Sequence, residues 1–146
     1  MMATAVDAPR KKKVRPEVKY NVVVLHHRPH LDEIAALFLL RTFGQEQFFG
    51  ISKAKVVFWK KNQVPADKTA DEMEKEGFIL IGIGGGRFDE HVIPGNGSNK
   101  DGECSATLVA KALGVADNPE LEMLLRFVRN TDLGKGQPLD FANLIK

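Results

Sequence analysis

A chain of 146 residues, 43% hydrophobic and 27% charged, has the length and composition of one soluble globular domain with a real core. The net charge of +2 is uneven: residues 1–18 hold five basic and two acidic residues, which leaves the rest at −1 and excludes a basic nucleic-acid surface by charge alone. A single cysteine, Cys104, excludes an intrachain disulfide and fits a reducing, cytoplasmic setting, and no apolar run approaches the roughly 18 residues that would span a membrane.

Residues 1–17 read as a disordered basic tail. The run Arg10-Lys11-Lys12-Lys13-Val14-Arg15 lacks a following apolar segment, so it is no secretory signal. It reads as a solvated tail, with a nucleic-acid arm or localisation signal as the sharper alternative. Lys19 to Leu25 predicts a strand with Val22, Val23 and Val24 buried. Leu31 to Phe43 predicts a helix, apolar almost all round, with Gly44 as its C-cap. Lys55 to Trp59 predicts a second strand, and Asp67 to Glu76 a polar surface helix. Phe78 to Ile83 predicts a third strand whose unbroken apolar character implies burial on both faces, as in a parallel sheet.

Gly84-Gly85-Gly86 opens a long loop of the kind that compact domains keep for function. Ser105 to Leu113 predicts a helix that stops at Gly114. Asn118-Pro119 begins a last helix, with Leu121, Leu124, Leu125 and Val128 on one face and an end near Asn130. The alternation of strand and helix predicts an α/β fold with a mainly parallel sheet flanked by helices.

Chemistry concentrates at the strand–helix junctions. His26-His27-Arg28-Pro29-His30-Leu31-Asp32-Glu33 holds three of the four histidines and two carboxylates within eight residues. Imidazole with carboxylate suits manganese, zinc or iron, so His26, His30 and Asp32 are candidate ligands of a metal or phosphate site. The plainer alternative has Asp32 complementing a helix N-terminus. Gly84-Gly85-Gly86-Arg87-Phe88-Asp89-Glu90-His91 follows the third strand; its glycines permit close backbone approach, and Asp89, Glu90 and His91 add ligands or a proton donor. A dinucleotide fingerprint fails on spacing. Thr131-Asp132 lies just past the last helix. Arg87, Lys100 and Lys135 are candidate holders of phosphate oxygens.

In this order the pieces resemble the DHH phosphoesterase superfamily, and within it the melanocyte-proliferating-gene-type exonuclease branch. The family's first motif is H-x-x-x-D-x-D; here His26 matches the histidine, His30 stands at the first aspartate and Asp32 at the second. The branch's His-x-Asp-Glu is His30-Leu31-Asp32-Glu33, and its R-F/Y-D-H-H segment reads Arg87-Phe88-Asp89-Glu90-His91. Asp132 matches a later aspartate. The resemblance spans about Val22 to Asp132. It implies a DHH-type N-terminal domain over residues 18–133, with 134–146 an extension or the start of a second, C-terminal domain. It also implies a manganese-dependent hydrolase of phosphodiester or phosphoanhydride bonds, nuclease-like, acting on a phosphorylated small molecule or single-stranded nucleic acid. The implied ligands are His26, His30, Asp32, Glu90 and Asp132. His91 and Asp89 are the implied catalytic groups, and Arg87 and Lys100 the substrate contacts.

Two positions depart from the pattern. The aspartate that bridges two metals at the end of the third strand is Gly82, and Glu90 replaces a histidine. Glu90 can still ligate manganese; Gly82 motivates an alternative, a catalytically degenerate module that holds a metal or nucleotide.

Overall fold

The computed structural model describes residues 18–91 and 102–132. The readings for the tail at 1–17, for Lys100 and for 134–146 fall outside them. Strands β1 (Val22–His26), β2 (Lys55–Trp59) and β3 (Phe78–Leu80) form one parallel sheet in the order β2-β1-β3. Val23 of β1 stands opposite Val56 on one side and Ile79 on the other.

Both faces of the sheet are covered, which is why β1 and β3 are apolar without alternation. On one face Val23, Leu25, Ile79 and Ile81 pack with helices α1 (Leu31–Phe43), α3 (Ser105–Ala112) and α4 (Glu122–Asp132). On the other, Val24, Leu80 and Ile83 pack with Met73 of α2 (Ala70–Lys75). The fold is α/β with a small parallel sheet flanked by helices. No helix among the described residues is long and apolar enough to cross a membrane.

β1 spans Val22–His26 rather than Lys19 to Leu25, and three further boundaries differ from the sequence reading by more than one residue. β3 ends at Leu80 rather than Ile83, because the chain bends away at Gly82, where φ is +69°. A left-handed residue cannot continue a strand. α2 begins at Ala70 rather than Asp67: Thr69 caps it, accepting from the Glu72 amide at 3.1 Å, and Glu72 returns a bond to the Thr69 amide at 2.8 Å. The segment from Pro119 first makes a 3₁₀ turn to Leu121, and α4 then runs to Asp132, two residues past the expected end.

Helix α1 is not apolar on every buried face. Asp32 and Glu33 are buried in its first turn, whereas Ile34 and Phe38 are about half exposed. A buried carboxylate carries a large desolvation cost unless it is hydrogen-bonded or paired. Here backbone amides serve both: Glu33 accepts those of His26 and His30, and Asp32 that of Ser105.

Candidate metal centre

The parallel strands all end at one edge of the sheet, where open α/β sheets place ligands. His26 closes β1, the chain turns through Pro29, and His30 is the N-cap residue of α1. Asp32 follows in the first turn, 1% exposed. Its Oδ2 accepts the amide of Ser105 at 3.1 Å. Ser105 is the first residue of α3, so the N-termini of α1 and α3 both lie at this carboxylate and favour its negative charge.

Ser105 Oγ lies 2.7 Å from Glu90 Oε2 and 3.0 Å from the Phe88 carbonyl, and its one proton serves one of these acceptors at a time. Asp132 completes the group from the end of α4. One oxygen from each of Asp32, Glu90 and Asp132 lies within 4.8 Å of the others. Asp32 Oδ1 is buried and has no hydrogen-bond partner among the described residues. A cavity of about 370 Å³ opens here, lined by His30, Asp32, Thr131 and Asp132.

The trio brings like charges together. Burial, and then the charges of Asp32 and Glu90, push the Asp132 carboxyl up to about 6 from an ordinary 3.8. The C-terminal end of α4, where Asp132 sits, adds negative potential of its own. A divalent cation would relieve the repulsion and satisfy the orphaned oxygen. Three carboxylates are a donor set that hard or borderline cations such as manganese accept.

In the metal-free protein, a folded-state pKa above the unfolded one means that the folded chain takes up the extra proton first, so stability rises as pH falls from about 6 towards 4. The Asp132→Asn variant lacks this titration. Its melting temperature should exceed that of the natural chain near neutrality, and the gap should close on acidification. A gap that stays constant in thermal melts across that range would overturn the assignment.

A second group adjoins the first. Asp89 is buried; its Oδ2 accepts the Gly85 amide at 2.8 Å, and its Oδ1 meets His91 Nδ1 at 2.6 Å. That hydrogen bond raises the His91 pKa above 6.5, against a smaller opposing effect of burial. The His91 side chain itself is 70% exposed. His26, Gly82, Gly85, Asp89 and His91 line a cavity of about 620 Å³ on the glycine loop.

The structure thus brings together Asp32, Glu90 and Asp132, with His30 on the same cavity, and separately Asp89 with His91. His26 is in none of the three-donor groups among the described residues, and its Nδ1 accepts the Arg28 amide at 3.3 Å. Arg87 lies elsewhere. Its guanidinium pairs with Glu74, rests on the rings of Phe48 and Phe88, and borders a different cavity with Tyr20 and Asp71.

Two residues with a part in the site had no role in the sequence reading. Ser105 was readable only as a helix start. Glu33 was visible in the His-x-Asp-Glu segment, and its place three residues after the cap His30 is the position from which a glutamate reaches back. Its Oε2 accepts the His30 amide at 2.9 Å and its Oε1 the His26 amide at 2.9 Å.

Compared with protein-family models, with curated proteins and with solved structures, the chain matches none of them.

Proposed function

We propose that the protein is a manganese-dependent phosphoesterase of DHH type, with the metal held by Asp32, Glu90 and Asp132. The observation that carries this reading is the buried, unpartnered Asp32 Oδ1 among two further carboxylates. Manganese bound there would supply Lewis-acid polarisation of a phosphoryl oxygen and lower the pKa of water towards neutrality.

The chain's own residues do the rest. Ser105 holds two of the three carboxylates, its amide on Asp32 and its hydroxyl beside Glu90. Asp89 orients His91 through Nδ1 and favours the imidazolium, which leaves Nε2–H for a ligand in the adjoining cavity. A cation so placed stabilises charge on a non-bridging phosphoryl oxygen or donates a proton to the leaving group. Substrates of this chemistry are phosphodiesters or phosphoanhydrides, in a phosphorylated small molecule or single-stranded nucleic acid, and the setting proposed is cytoplasmic.

The test is hydrolysis of bis(p-nitrophenyl) phosphate and of short oligonucleotides by the full chain, with manganese or with chelator. Manganese-dependent turnover that His91→Ala lowers on the order of 100-fold or more is expected for a proton donor or charge stabiliser. Tight manganese binding without turnover would favour the second reading, a degenerate metal- or nucleotide-binding module, for which Gly82 speaks.

A further inference from the structure

The family resemblance implies a two-metal centre bridged by a carboxylate at the end of the third strand. In this chain Gly82 stands there, with its backbone at φ +69°. A Cβ at this position would fall 2.8 Å from both Cγ and Cδ of Glu33 and 3.0 Å from its Oε1. Carbon atoms do not approach so closely without bonding, so position 82 has no room for a side chain while Glu33 keeps its place.

Glu33 is held in that place from both ends. Its two oxygens take the amides of His26 and His30, the residues that begin and end the loop between β1 and α1. It is 5% exposed, so withdrawing it would strand two amides. The glycine at 82, the glutamate at 33 and the histidine loop therefore form one interlocked unit.

Two of the donors a second ion would draw on, Glu33 and Asp89, are engaged otherwise. Two three-donor groups adjoin the trio: His30–Asp32–Glu33 and Asp89–Glu90–His91. In the first, both Glu33 oxygens already accept amides. In the second, Asp89 and His91 are bound to each other. His26, which the resemblance counts among the ligands, opens onto the glycine-loop cavity, and its backbone amide is what Glu33 holds.

We propose that the centre is mononuclear: Glu33 fills the space beside Gly82 that a bridging carboxylate would need, and it acts as a positioning residue for the histidine loop rather than as a ligand. This inference rests on the metal reading above and narrows it. A single hard ion at Asp32, Glu90 and Asp132 keeps one Lewis-acid position and leaves phosphate binding on the glycine-loop side to His26 and His91.

The test uses the metal-depleted full chain, titrated with manganese under equilibrium dialysis and read by elemental analysis and electron paramagnetic resonance. One equivalent is expected, with a six-line signal of isolated manganese and no exchange-coupled multiline spectrum. Two equivalents with an exchange-coupled spectrum would overturn the mononuclear centre and leave the metal reading standing. No tight equivalent would overturn both. Glu33→Gln nearly keeps the side chain's volume but loses one acceptor. A positioning role predicts that it lowers the melting temperature while manganese affinity stays within about threefold; a tenfold or larger loss of affinity at unchanged stability would make Glu33 a ligand. Gly82→Asp is expected to bind one equivalent or fewer, because the new side chain meets Glu33; a folded variant with two tight equivalents would refute the proposal.

Discussion

Asp132→Asn is expected to lower manganese affinity by about 100-fold or more while making the metal-free protein more stable near neutral pH. The two effects have one cause. Asp132 brings the third carboxylate to within 4.8 Å of the other two, and burial and their charges push its pKa up to about 6. Without a cation this is repulsion in a half-buried place. A cation bound there would make it a ligand. Even residues that only support metal ligands cost ~10–100-fold in affinity when changed, so removing a charged ligand belongs at or above the top of that range. Isothermal titration with manganese, paired with thermal melts in chelator, reads both quantities. An asparagine variant that binds manganese as tightly as the natural chain would remove Asp132 from the centre. One that melts lower without metal would mean that Asp132 is a structural support, not a poised ligand.

The largest loss of stability is expected at Glu33. Its carboxylate satisfies two amides at 2.9 Å each and completes the cap of α1. Each buried donor left without an acceptor costs about 1–3 kcal/mol. Glu33→Ala should therefore destabilise the fold by about 2–4 kcal/mol, a fall in melting temperature on the order of 10 °C for a chain of this size. Burial raises the Glu33 pKa more than the two amide bonds lower it, so the folded site accepts a proton more readily than the unfolded chain. Denaturant titration of Glu33→Ala in chelator measures the loss apart from any metal. A loss below about 0.5 kcal/mol, the scale of an ordinary surface change, would show that the loop holds itself without Glu33.

The parallel sheet was legible because β1 and β3 are apolar on both faces, and that pattern depends on composition alone. The end of β3 was not. Ile81 and Ile83 are as apolar as strand residues and are indeed buried, but the positive φ between them is a backbone property that glycine permits without announcing. The acidic trio was legible as a set of motifs in order, even though Asp32, Glu90 and Asp132 come from a helix start, a loop and a helix end. Its outlying members were harder. Whether His26 turns towards Asp32 or towards the glycine loop depends on how the β1–α1 turn is tied down, and Glu33 ties it by backbone amides that no side-chain pattern encodes. Arg87 showed a charge beside a candidate site. Its partner Glu74 lies thirteen residues earlier on α2, and only the packing of α2 on β3 brings the two together.

The one cysteine gives the site a built-in reporter. Cys104 is fully buried as the N-cap residue of α3, one position before the Ser105 amide that holds Asp32, and burial raises its thiol pKa. Such a thiol does not meet an alkylating reagent in the closed fold. Lifting the head of α3 exposes it, and the same movement takes the Ser105 amide off Asp32. The rate of thiol labelling therefore counts openings of the carboxylate site itself, and an ion that binds only the closed form slows that count in proportion to its occupancy.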